Sequence, residues 1–213
     1  PASAAEVYLS LLAARGIDYL FANGGTDFAA LVEAYANAQA KGSRVPQPVI
    51  VPHENMGVAM AHGYTMVTGR PQAIMMHVGM GTANAINGVI NASRQNIPML
   101  VTAGRTPLTE SGDVPGARDN YIHWAQEHFD QGAMLREFVK WDFELTHAEQ
   151  VETVVDRALA IDQERRAGKG ARVVEANRDD HRGMARGEAR FWGESGYRAA
   201  HSSRETRLEL KSA

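Results

Sequence analysis

Apolar and polar positions along this chain change period in a regular order. Asp18–Ala22 reads as a short strand and Asn23-Gly24-Gly25 as a turn, followed by a helix over Asp27–Ala40 with Phe28, Leu31, Val32 and Tyr35 on one side. Pro48–Pro52 predicts a second strand and Glu54–Thr68 a second helix, stopped by Gly69 and Pro71. Ala73–Val78 predicts a third strand, Gly79-Met80-Gly81 a turn, and Ala83–Gln95 a helix with Ile86, Val89 and Ile90 apolar. A fourth strand covers Pro98–Ala103 and closes at Gly104. Short strands alternating with longer helices predict an α/β fold: a doubly wound, mostly parallel sheet with helices on both faces.

After Thr106 the pattern weakens. Leu108–Tyr121 reads as a polar loop, Ile122–Phe129 and Met134–Phe138 as short helices, and Ala148–Arg166 as a long helix with Val151, Val154, Val155, Ala158 and Leu159 at helical spacing. Residues 162–213 carry few large apolar side chains and no clear period, which predicts a poorly ordered C-terminal tail behind one domain spanning 1–161.

Ligands bind such sheets at the carboxyl ends of the strands. Three turns are expected at that edge: Asn23–Thr26, His53–Glu54 and His77–Asn84. Glu54 is the most telling of these residues, because it sits where the β-branched run Val49-Ile50-Val51, ended by Pro52, gives way to a helix. A carboxyl group in a partly desolvated place can trade a proton near neutral pH. The plainer alternative is that Glu54 only faces the positive end of its helix dipole.

Composition narrows the classes. The chain has 213 residues, no cysteine and a formal charge of −3, so a disulfide framework, a thiolate nucleophile and a sulfur-ligated metal are excluded. No apolar run reaches the roughly 18 to 20 residues of a membrane helix, and Pro1-Ala2-Ser3 leads straight into the amphipathic segment Glu6–Arg15 without a signal peptide. A cytoplasmic protein with no membrane partner is expected. Up to Ile161, 10 Lys and Arg face 16 Asp and Glu, whereas from Asp162 onward 12 face 9. Acids interleave with bases in that basic stretch, so a solvated tail is favoured over a nucleic-acid arm.

Gly79-Met80-Gly81-Thr82-Ala83-Asn84 is close to a dinucleotide fingerprint, with Asn84 in place of the last glycine. Arg105 after the next strand could face the 2′-phosphate of NADP, which keeps an NADP-binding oxidoreductase domain as an alternative. His53 and His62 lie nine residues apart rather than four, so the zinc helix motif is absent.

Taken in order, Pro52-His53-Glu54, Ala61-His62-Gly63-Tyr64, Thr68-Gly69-Arg70-Pro71, Gly79–Asn84, Ile97-Pro98-Met99-Leu100 and Ala103-Gly104 carry a resemblance. Together they resemble the N-terminal, pyrimidine-binding domain of thiamine-diphosphate-dependent enzymes of the acetolactate synthase and benzoylformate decarboxylase group. The resemblance implies that Glu54 bonds to N1′ of the aminopyrimidine and promotes the tautomer that activates the thiazolium carbon towards a 2-oxo acid. It implies cofactor contacts from Gly25, Pro52, Glu54, Gly79, Gly81 and Asn84, and substrate contacts from Thr26 and His77. His77 falls where benzoylformate decarboxylases keep a catalytic histidine; the alternative is a satisfied histidine at a strand end. His123 and His128 are expected to be solvated or structural.

The resemblance also implies partners. Mg²⁺ and the diphosphate are expected on a second domain, whose Gly-Asp-Gly…Asn motif does not occur in this sequence, and a second pyrimidine domain completes a homo-oligomer. The chain alone is therefore expected to be inactive and to have no metal site of its own. A remnant that acts only through dimerisation stands as the alternative function. After the long helix the family carries a Gly-Pro-Val-Tyr-Leu-type strand, whereas here Lys169-Gly170-Ala171-Arg172-Val173-Val174 leads into an arginine-rich stretch compatible with truncation or a shifted frame.

Overall fold

The computed structural model describes residues 2–110, 117–118, 120–163 and 171–176, and the side chains of these up to Ala160. The elements are α1 (Ala4–Ala14), β1 (Tyr19–Ala22), α2 (Ala29–Lys41), β2 (Gln47–Ile50), α3 (Glu54–Thr68), β3 (Ala73–Met76), α4 (Val78–Arg94), β4 (Met99–Gly104), α5 (Ile122–Ala125), β5 (Val139–Leu145), α6 (Val151–Gln163) and β6 (Ala171–Ala176). The six strands form one sheet in the order β2-β1-β3-β4-β6-β5. Every pairing is parallel.

Side-chain alternation along the strands builds two cores. Leu20, Ala22, Ala73, Met75 and Leu100 point to the face covered by α1, α2 and α6. Phe21, Ile74, Met76, Met99, Val101 and Ala103 point to the other, with Val58 and Ala61 of α3 and Ala85, Val89 and Ala92 of α4. β3 and β4 are buried along their whole length, which is why Ala-Ile-Met-Met and Met-Leu-Val-Thr-Ala-Gly read as continuous apolar runs. β2 lies at the edge, where Pro48 costs no interior ladder bond.

Local chemistry sets the helix ends. Ser3 and Glu6 form a reciprocal capping box at the start of α1. α2 and α3 end on Gly42 and Gly69, both left-handed, with φ of 64° and 70°.

Several expectations change. Gly79, Met80 and Gly81 lie inside the first turn of α4 rather than in a turn before it. Helix follows directly because Gly81 N–H donates to the His77 carbonyl (2.7 Å). The helix expected over Ile122–Phe129 stops at Ala125. Met134–Phe138 is not a helix: a 3-10 turn spans Gly132–Met134 and β5 begins at Val139. The alternation Val139, Trp141, Phe143, Leu145 carried that strand in plain sight. Ala171–Ala176, placed with the tail by its surroundings, is the strand between β4 and β5. Residues 162 and 163 of the expected tail end α6, and residues 164–170 and 177–213 lie outside the described residues. No helix among the described residues is long and apolar enough to cross a membrane.

Candidate active site

The register brings the expected turns to one edge. Ala22 at the end of β1 pairs with Ile50 at the end of β2 and with Met75 near the end of β3. The residues that follow these ends, Asn23–Asp27, Val51–Glu54 and His77–Val78, therefore emerge side by side at the carboxyl edge of the sheet.

Glu54 is the first residue of α3 and is only 4% exposed. The cap of that helix is supplied by His53, whose Nδ1 accepts from the Asn55 backbone N–H (3.1 Å). The Glu54 carboxyl group is thus turned inward. Asn23 Nδ2 donates to Oε1 (3.1 Å) and Asn84 Nδ2 donates to Oε2 (3.0 Å). Two amide donors match the two carboxyl oxygens, which is what allows an acid to be buried at this depth. Gly81 completes the enclosure: a Cβ there would lie 2.9 Å from Oε1.

His77 ends the loop after β3 and stands at the N-cap position of α4, where its side chain makes no capping bond. Its Nδ1 is 2.6 Å from Asp27 Oδ1, and the Val78 N–H donates to Asp27 Oδ2 (3.3 Å). Asp27, 2% exposed, sits in the 3-10 turn Thr26–Phe28 that follows β1. Gly25 leaves room for the imidazole, since a Cβ there would fall 2.2 Å from Nδ1. Gly104 does the same for the carboxylate, where a Cβ would fall 1.8 Å from Oδ2.

The expected residues thus form two groups on one edge: Glu54, Gly81 and Asn84, and Gly25 with His77. Thr26 adjoins the second group, half-buried at the head of the 3-10 turn. Pro52 is exposed on the bend before α3. Gly79 faces the His128 ring, with a built Cβ only 2.1 Å from Cε1, so that histidine fills the space above the glycine.

Asn23 and Asp27 are the site residues that sequence reasoning passed over as turn and helix start. The signal was available for Asp27, an acid set between Thr26 and a run of apolar residues destined for the core. Arg105 NH1 donates to Glu144 Oε2 (2.8 Å) and NH2 to the His128 carbonyl (2.9 Å), so it serves the β4–β5 region rather than an open phosphate site. His123 is buried, and His128 half-buried, in the segment over this edge. Arg118, buried, forms a bidentate pair with Glu127 (2.6 and 2.5 Å). Its hydrogen bonds hold the Glu127 carboxyl below the usual carboxylate range. Gln131 Nε2 donates to Thr82 Oγ1 and to the Gly104 carbonyl, tying the same segment to α4 and β4. Among the described residues no group of three or more His, Asp or Glu side chains is placed to hold a metal ion.

The family model described as "Thiamine pyrophosphate enzyme, N-terminal TPP binding domain" matches residues 2–134. The chain belongs to that family. The acetolactate synthase large subunit of Haemophilus influenzae is 26% identical over 166 residues, covering 78% of this chain and 26% of the relative. The benzoylformate decarboxylase of Pseudomonas aeruginosa is 27% identical over 107 residues, covering 50% of this chain and 19% of the relative. The structure of a thiamine diphosphate-dependent 4-hydroxybenzoylformate decarboxylase from Rhodococcus jostii superposes with a TM-score of 0.66 at 26% identity, over 83% of this chain and 30% of that one. The thiamine pyrophosphate enzyme domain described here spans about a quarter of the length of the acetolactate synthase it matches.

Proposed function

We propose that this domain is the pyrimidine-binding half of a site that decarboxylates or carboligates 2-oxo acids. Thiamine diphosphate is the cofactor in this reading. A diphosphate-binding domain outside this sequence would hold the diphosphate with Mg²⁺. A second copy of the pyrimidine domain would complete a homo-oligomer that works in the cytoplasm.

The observation that carries the reading is the Glu54 carboxyl group, buried at the strand-end edge and bonded by Asn23 and Asn84. The residues present fit an aminopyrimidine, which offers a ring nitrogen and an amine to acid, amide and backbone groups. Glu54, Asn84, Gly81 and Gly25 would hold it, with Pro52 and Gly79 shaping the backbone around them. When bound, thiamine diphosphate supplies a nucleophilic thiazolium carbon and an electron sink for the departing carboxyl group.

The chain's own work is positioning and proton transfer. Glu54 holds or releases a proton at a carboxyl oxygen, and the missing side chain at Gly81 lets α4 close against Oε1. His77 exchanges a proton with the substrate at its ring, and the Thr26 hydroxyl donates to the substrate's carboxylate. Thiamine diphosphate carries most of its charge on the diphosphate, and the pyrimidine alone is a small ligand with few contacts. The isolated chain should therefore bind the cofactor weakly and turn nothing over.

The test is to assay CO₂ release from a panel of 2-oxo acids by the chain assembled with a diphosphate-binding domain, thiamine diphosphate and Mg²⁺. Glu54→Gln should lower turnover by about 10²–10⁴-fold at saturating cofactor, the usual contribution of a positioned acid or base. Unchanged turnover would overturn the role of Glu54, and micromolar cofactor binding by the chain alone would overturn the need for a second domain.

A further inference from the structure

The pair behind His77 is built with more constraint than a strand-end histidine requires. Asp27 is buried in the 3-10 turn after β1, and both of its oxygens are engaged: Oδ1 with His77 Nδ1 at 2.6 Å, and Oδ2 with the Val78 N–H at 3.3 Å. Two glycines, Gly25 two residues before Asp27 and Gly104 at the end of β4, leave the space the ring and the carboxylate occupy. Val78 adopts φ +35°, a left-handed value that a β-branched residue rarely takes. That backbone turns the Val78 N–H towards Asp27. Backbone strain of this kind persists where surrounding contacts over-determine it, and it gathers at functional sites.

We propose that Asp27 is a positioning residue that holds His77 in the tautomer protonated at Nδ1, so that Nε2 is the atom through which the ring exchanges protons with the substrate. The chemistry follows from the donor count. An ionised carboxylate only accepts hydrogen bonds. One oxygen already takes a backbone N–H, which fixes the rotation of the group. The other oxygen, at 2.6 Å, then requires a donor at Nδ1, and in a neutral imidazole this leaves Nε2 as the acceptor. A histidine oriented by a buried acid is a proven arrangement for general acid–base catalysis. The inference rests on the proposed 2-oxo acid chemistry only for its substrate; the tautomer itself is a property of this chain.

Two measurements test it separately. In the ¹⁵N-histidine-labelled chain, imidazole nitrogen shifts, assigned by loss of the His77 signals in His77→Asn, should show the Nδ1-protonated tautomer at high pH. Asp27→Asn, which can no longer accept from both Nδ1–H and Val78 N–H, should shift His77 towards the Nε2-protonated form. The same tautomer in both proteins would overturn the proposal. In the assembled enzyme, Asp27→Asn should lower kcat by at least about ten-fold with less effect on KM, since loss of an orienting acid can cost up to about 10⁴-fold. Combining it with His77→Ala should cost no more than His77→Ala alone, because Asp27 acts through His77. Additive losses would sink the positioning role. Full activity in Asp27→Asn beside an inactive Glu54→Gln would remove this inference and leave the proposed function standing. Unaffected Glu54→Gln would do the reverse.

Discussion

At the residue scale the site depends on absent side chains as much as on present ones. A methyl group at Gly81 would sit 2.9 Å from Glu54 Oε1, 3.2 Å from Met76 Cβ and 3.3 Å from the Met76 carbonyl carbon. The Met76 atoms belong to a strand and cannot give way, so the carboxyl group must move. Gly81→Ala should therefore reduce turnover of the assembled enzyme more than it reduces stability, because alanine also favours helix over glycine by about 1 kcal/mol. Comparing kcat with the thermal midpoint of the same variant checks this, and full activity would show that the contact is not needed. Glu54 was legible in the sequence because strand, proline, acid and helix follow one another within a few positions. Asp27 was not. Its carboxylate meets His77 across 50 residues of sequence, and no local period reports a contact of that range.

Elements show the same division between local and distant causes. α3 was readable to the residue, since His53 caps its start and Gly69 its end. The start of α4 was misplaced because Gly79 and Gly81 read as turn residues. Their true role is close approach, to His128 and to Glu54. Gly88 on the same helix does comparable work against α3: a Cβ would lie 2.7 Å from Val58 Cγ1 and from Asn55 Oδ1. Gly88→Ala sets a gain in helix propensity of about 1 kcal/mol against overpacking of about 1–3 kcal/mol. Overpacking should win, because Val58 is fully buried beneath the helix crossing and its own Cβ would be only 2.8 Å away. Urea unfolding should show a net loss of about 1 kcal/mol, and a gain would mean that α3 and α4 can slide apart freely.

For the whole molecule, the alternating strands and helices up to Gly104 were enough to give the parallel, doubly covered sheet. β6 escaped because the residues around it are polar and charged, and a strand is recognised from its neighbours as much as from itself. Its place is interior: Val101 pairs with Val173, and Asp142 pairs with the same residue from the other side. A chain ended at Gln163 would lose the strand between β4 and β5. That shortened chain should unfold with a lower midpoint and a broader transition than one ended at Ala176, with β5 amides losing hydrogen-exchange protection first. Equal protection in both would show that β5 can pair with β4 directly.

The position of β6 also sets an order of events on the ribosome. β1 to β4 can assemble as they emerge, since each parallel neighbour has already been made. β5 cannot follow, because among the described residues its partner in the sheet is β6, a strand synthesised after α6. Until Ala176 is free of the exit tunnel, the inner edge of β4 presents six unpaired residues, Met99–Gly104, all of them buried in the finished protein. An apolar strand edge left open during synthesis is a template for another chain. The interval between completing β4 and completing β6 is therefore the stage at which nascent chains should be most dependent on chaperones.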